Sequence, residues 1–448
     1  MKLFGLVFCL LCVNFLEASE TYKAGVILQD KGDKDITSLV YEAGKSNVDI
    51  LVVPTPDSSD IDSYDKIITS LSKSAKQSNL YIVAHLYEKA LCQNNYEMVK
   101  SNLVFDRDGT IVTVYRKPVS NMANCTSTPS DLVSFTTDFG VTFGSLMPED
   151  IVLHSAKYMK GLKNFVMAGV DGYGNFLSAA QFSPSWSYVN NANLLSSSGI
   201  YSGTSGLKTG SESLVVADLE KNGGSENLAV PIISSDNSPS EDLSQYTIKP
   251  LNLEASSQGY KETVCQSSVC CEFYVKTGNS GSKPDASYGL AAFDGVHSFA
   301  QHKIGAQDCA VFACDGENKN CGSGSNSTNI YFERISITAN FSNQNAQYPI
   351  IQSSMLPAEK FYFDTKTINF STQVTLEIVD AKNVKRFGVF GRDFSKDFES
   401  YAVDSNTEAT HDIYDLIFNE DVVEFFDYVW IRLRILLVIV SIYVLEMM

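Results

Sequence analysis

Basic residues and histidines are what this chain is short of. Lys and Arg number 34 against 52 Asp and Glu, leaving a net charge of -18, and no Lys/Arg cluster interrupts the acidity. Neutralising phosphates needs a basic face, so nucleic acid is excluded as a partner. The five histidines, His85, His154, His297, His302 and His411, are scattered, and no pair of Cys-x-x-Cys knuckles accompanies them. That argues against a zinc centre, and no metal or cofactor is expected. Internal repeats and long low-complexity tracts are absent too. Near the C-terminus, the apolar stretch Ile435 to Leu445 is too short to cross a bilayer of about 30 Å as a helix.

What is present begins with a leader. A charged start at Lys2, an apolar run from Leu3 to Phe15 and small residues at Ala18 and Ser19 read as a secretory signal peptide over residues 1–18. Of ten cysteines, Cys9 and Cys12 leave with it; Cys92, Cys125, Cys265, Cys270, Cys271, Cys309, Cys314 and Cys321 remain. An even set in a secreted chain reads as disulfides, although spacing does not give the pairing. The sequons at Asn124, Asn326, Asn340 and Asn369 agree with a glycosylating pathway. Hence the expected location is extracellular. The apolar tail, after a spacer with small residues such as Ser405 and Ala409, reads either as a glycolipid-anchor signal or as an amphipathic or disordered terminus. Any membrane attachment would come through that anchor alone.

From Tyr22 to about Ser197, Val- and Ile-rich runs alternate with helical stretches, the pattern of an α/β protein with both sheet faces covered. Asp108 and Gly109 mark a hairpin turn between Ser101 to Asp106 and Thr110 to Arg116. After roughly Asn326, short β segments predict a smaller β-rich domain. Three segments carry candidate chemistry: Asp49 to Thr55, Val114 to Lys117, and Phe139 to Gly144, each read as the end of a strand. Groups at strand carboxyl ends converge on one crevice in such sheets.

These segments resemble the nitrilase superfamily of carbon-nitrogen hydrolases, and its vanin/biotinidase branch in particular. Ser101 to Gly109 followed by Tyr115 to Lys117, then Thr263 to Cys265 with Cys270 and Cys271, Tyr288 to His297, and Phe390 to Phe394 occur in the branch's order. The resemblance implies an α-β-β-α sandwich over residues 20–322, a β-rich base domain over 326–403, and a spacer and tail over 404–448. It also implies a Glu, Lys, Cys triad in which Cys attacks an amide carbonyl, Glu is the base and Lys stabilises the oxyanion. Pantetheine-like and biotinyl amides are the substrates of that branch.

Carried over by position, Lys117 keeps the lysine, Thr55 replaces the glutamate and Gly144 replaces the cysteine, with Ser145 to Pro148 where an acidic segment is expected. Two of three catalytic groups are then missing, and the expectation is a catalytically impaired family member. An alternative is an active amidase using another nucleophile. Ser145 is the substitute to weigh, with Glu149 or His154 as its base, although its side chain leaves the strand opposite to that of its neighbour. Lys117 either holds a small amide or anionic ligand in the old pocket or is an inherited strand-end lysine. His297 is expected to be structural, and Trp186 and Tyr188 to be packing residues.

Overall fold

A computed structural model describes residues 20–28, 35–54, 64–92, 95–119, 131–169, 179–208, 212–223, 243–278, 286–299, 302–314, 329–342, 345–355 and 361–397. The signal peptide, Thr55, Asn124, Cys125, Cys321, Asn326 and the tail lie outside them. In chain order come β1 (Thr21–Ile27), α1 (Ile36–Lys45), β2 (Ile50–Val53), α2 (Tyr64–Ser78), β3 (Tyr81–Cys92), β4 (Asn95–Phe105) and β5 (Ile111–Pro118). Next are β6 (Ser134–Thr136), β7 (Thr142–Leu146), α3 (Asp150–Leu153), β8 (Asn164–Met167), α4 (Ala179–Asn190), β9 (Asn193–Ser196), β10 (Gly199–Ser202), β11 (Leu207–Lys208) and β12 (Leu214–Glu220).

Two six-stranded sheets result, ordered β12-β1-β2-β3-β4-β5 and β11-β10-β9-β8-β7-β6. Both have parallel centres, β1-β2-β3 and β7-β8-β9. Strands covered on both faces need apolar side chains on both, which is why β2 and β8 are buried throughout. Between the sheets, Ala24, Val26, Val52 and Val83 meet Phe143, Val166 and Leu195. The outer face of the first sheet takes Leu39, Val40 and Ala43 of α1 and Leu71 and Ala75 of α2. The outer face of the second packs Phe165 and Leu194 against Ile151 and Val152 of α3 and Phe182 and Trp186 of α4. The layers are therefore α-β-β-α. A buried polar tie crosses the middle: the Tyr22 hydroxyl donates to Asn164 Oδ1 over 2.8 Å.

The turn expected at Asp108 and Gly109 forms, with Asp106 Oδ1 accepting from the amides of Asp108 and Thr110. Gly109 is needed there. Its φ is +80°, and a Cβ would lie 2.4 Å from the Ser72 carbonyl oxygen.

The β-rich part begins earlier than the sequence reading places it. A third sheet runs β13 (Thr247–Pro250), β14 (Tyr260–Gln266), β15 (Val269–Thr277), β16 (Ser287–Phe299), β17 (His302–Cys314), β18 (Tyr331–Ser342), β19 (Asn345–Met355), β20 (Phe361–Ile368) and β21 (Ser371–Asp393). Its order is β13-β16-β17-β21-β18-β15-β14, with β19 and β20 also on β21. Residues 247–314, assigned to the amidase domain by the 322/326 boundary, thus pair into the same sheet as β18 to β21. β17 is buried almost throughout, so it lacks the one-sided alternation that makes β18 legible.

Two disulfides brace this sheet. Cys265–Cys270 closes the β14–β15 hairpin, and Cys271–Cys309 joins β15 to β17. Cys314 is disulfide-bonded as well, and Cys92 ends β3. Replacing both Cys271 and Cys309 by Ala should lower stability by about 2–5 kcal/mol, read as a lower urea midpoint for the full chain.

Candidate active site

Lys117 and Tyr115 lie two apart on β5, so both side chains leave the same face, and both are buried. They converge on Asp150, the first residue of α3, which is wholly buried. The Lys117 ammonium pairs with Asp150 Oδ1, and the Tyr115 hydroxyl donates to Oδ2 over 3.0 Å. The Met147 amide donates to Oδ2 over 2.7 Å, and His154 Nε2 stands 3.4 Å from Oδ1. Burial alone would raise the Asp150 carboxyl; the His154 hydrogen bond, the Lys117 charge and the Met147 amide outweigh it and hold the group below the usual carboxylate range. Burial, then the Asp150 charge, pushes the Tyr115 hydroxyl well up. The Tyr158 hydroxyl, by burial first and Asp150 second, is pushed up to about 12; its ring stacks on His154 at 4.0 Å.

Further charge surrounds this core. Lys100 pairs with Glu149 at 2.5 Å. On the opposite, helix-covered face of the same sheet, Glu88 accepts from Arg116, from the Ser101 hydroxyl and, over 2.6 Å, from the Tyr64 hydroxyl. His302, at the start of β17, is lowered by burial and then by the Lys117 charge, which puts the third sheet within electrostatic reach of the site. Arg392 of β21 is fully buried and donates through Nε to the Val152 carbonyl of α3 over 2.8 Å.

Gly144 does not end its strand. It sits in the middle of β7, opposite Phe165 of β8 and Ser134 of β6. A Cβ built on it would lie 2.6 Å from Phe165 Cδ1 and 3.1 Å from Leu132 Cδ2, on the helix-covered side of the sheet. Phe143 instead packs between the sheets, and the Ser145 hydroxyl faces Asn102 Nδ2 of β4 at 3.4 Å. Side chains aimed toward the sheet carrying Lys117 therefore come from 143 and 145, and the backbone that reaches the Lys117 pair is that of Met147, past the strand end.

Ser145 is fully buried, and the group facing its hydroxyl is an amide donor, not a base. Asn102 also donates to the Leu146 carbonyl over 2.7 Å and bonds His85 Nδ1 over 2.7 Å. Glu149 and His154, weighed as bases for Ser145, are engaged with Lys100 and Asp150. Outside this cluster, His297 stacks on Phe293 and stands 3.2 Å from Asp308. Trp186 packs edge-on to Phe165, and Tyr188 against Phe361. Sequence reasoning missed Asp150; the adjacent acids at 149 and 150, just beyond the segment where acidity is expected, were the available signal.

The Vanin C-terminal domain family matches residues 237–397, close to the span of the third sheet. Vanin-like protein 1 of Drosophila melanogaster is 27% identical over 407 residues, covering 73% of this chain and 72% of its own. Pantetheinase of Homo sapiens is 26% identical over 381 residues, covering 74% and 71%. Among solved structures, an amidase from Nesterenkonia sp. AN1 aligns at 12% identity with a TM-score of 0.34, covering 46% of this chain and 92% of that one. These similarities support the vanin branch of the carbon-nitrogen hydrolase superfamily as the family this chain resembles.

Three outcomes follow from the packing. Lys117→Met strands the buried Asp150 carboxylate and should cost about 3–5 kcal/mol, measured by denaturant unfolding. The native Asp150 carboxyl titrates below its unfolded value, so its contribution is complete above the unfolded pKa and is lost as pH falls through the native one. Asp150→Asn should accordingly flatten the acid limb of the stability profile. Separately, Gly144→Ala should destabilise by about 1–3 kcal/mol through overpacking on Phe165, with no effect on the charge cluster.

Proposed function

We propose that this protein keeps the vanin scaffold without amide hydrolysis and acts by binding, outside the cytosol. The supporting observation is the occupant beside the retained lysine. Met147 carries the backbone amide that meets the Lys117–Asp150 pair, and we place the family's nucleophile at Met147 rather than at Gly144. A thioether has no proton to lose and forms no thiolate, so it cannot open an amide carbonyl. Thr55, at the glutamate position of the sequence, is no proton acceptor near neutral pH. Whichever of 144 and 147 is taken, the sulfur nucleophile and its base are both missing.

Lys117 and Lys100 are each already paired with a carboxylate, which favours a small neutral amide over an anion as the pocket's ligand. Such an amide can accept from one of the remaining N–H groups of the Lys117 ammonium without displacing Asp150. The leader, the sequons and the disulfide-braced third sheet favour an extracellular location, with the C-terminal tail as the route to a lipid anchor.

The test is an amidase assay with the full chain on pantetheine and on a biotinyl amide, with no turnover expected. Turnover that Lys117→Met abolishes while the fold persists would overturn the proposal in favour of an active amidase with another nucleophile. Iodoacetamide labelling of the native protein separates the two placements of the nucleophile: Met147→Cys combined with Thr55→Glu should label, whereas Gly144→Cys should stay protected until unfolding.

A further inference from the structure

The β20–β21 hairpin ends in an uncovered apolar tip. β20 pairs with β21 from Phe361 opposite Ile378 to Ile368 opposite Ser371, leaving Asn369 and Phe370 to make the turn. Phe370 is 92% exposed, Tyr362 51% and Ile368 44%. Every residue from Thr365 to Phe370 is exposed, so the end of the hairpin stands in solvent. Among the described residues, the second edge of β20 has no strand beside it. A bare strand edge topped by an aromatic is a template for pairing with another chain, and native proteins cover or charge such edges. Here the strand carries two charges, Asp364 and Lys366, and they are paired with each other at 3.1 Å.

The turn carries the means to cover it. Asn369 holds a φ of +56°, a conformation Asn adopts more readily than most residues. It is exposed, and with Phe370 and Ser371 it forms an Asn-x-Ser acceptor at the apex. The contrast is Asn340, an exposed sequon residue on β18 opposite Gln373. Its neighbour Phe341 is 1% exposed, so a glycan there would hide nothing apolar.

We infer that Asn369 carries an N-linked oligosaccharide that lies over Phe370, Ile368 and the free edge of β20, taking the place of a covering strand. The chemistry is transfer from a lipid-pyrophosphate-linked oligosaccharide. The side-chain amide nitrogen bonds to the sugar's anomeric carbon, the bond from that carbon to pyrophosphate breaks, the amide proton passes to the transferase, and the lipid pyrophosphate departs. This inference rests on passage of the chain through the secretory pathway.

The experiment is peptide mapping after enzymatic deglycosylation of the full chain made in a glycosylating eukaryotic host, once with its own leader and once with a borrowed one. Asn369 is expected to be converted to Asp. Asn369→Gln should remove one glycan and shift the protein from monomer to oligomer in size-exclusion chromatography, and adding Phe370→Ser should return it to monomer. An unmodified Asn369 under the borrowed leader, with other sequons occupied, overturns the inference. Occupancy under the borrowed leader alone supports the acceptor site and counts against the secretory reading instead. An Asn369→Gln chain as monodisperse as the wild type overturns the shielding role.

Discussion

A fully buried carboxylate organises the centre of this molecule. Asp150 has its Oδ1 on the Lys117 ammonium with His154 close by, and its Oδ2 on the Tyr115 hydroxyl and the Met147 amide. An ion taken out of solvent is stable only when paired and hydrogen-bonded, and these partners come from β5, from the turn after β7 and from the end of α3 itself. β5, the turn after β7 and the helix α3 are thereby fixed to one another. The same pairing answers the charge of the buried lysine from within the chain.

Most of the sandwich was legible. Runs such as Ile50 to Val53 are buried on both faces, and only a covered parallel sheet demands that. The Asp108-Gly109 turn followed from local chemistry. The candidate site was legible in part: the motif points to Lys117, which the fold buries against Asp150, whereas the acid itself is not evident. Counting residues along Phe139 to Pro148 does not reveal where β7 stops, and the period of two means that a shift by one residue changes the face. Gly144 looked like the remnant of a lost side chain. In the fold its missing Cβ is required by the Phe165 ring. Asp150 was hidden for a different reason: nothing in a sequence distinguishes a buried acid from a solvated one until its partners, 33 and 35 residues away, are known.

The third sheet is more than a neighbour of the sandwich. Its residues Phe293, Phe312, Tyr348 and Phe390 share a core with Phe165, Trp186 and Phe182. Arg392 adds a directional link: its guanidinium bonds the Val152 carbonyl in α3, the Gly305 carbonyl and the Asp397 carboxylate. The element that carries Asp150 is thus held from both sides, by Lys117 and Tyr115 from the first sheet and by Arg392 from the third. A perturbation of the β-rich part has a short covalent and hydrogen-bonded route to the Lys117–Asp150 pair.

Cys270 and Cys271 are consecutive, yet they serve different partners because successive residues of β15 face opposite ways, one exposed and one buried. Cys270 meets Cys265 across the hairpin, while Cys271 crosses to Cys309 in β17. Sliding β15 by a single residue would offer the inward sulfur to Cys265 and leave Cys309 facing the wrong one. The two bonds together act as a molecular vernier: both close only when the strand has settled in its native alignment, so oxidation records that alignment.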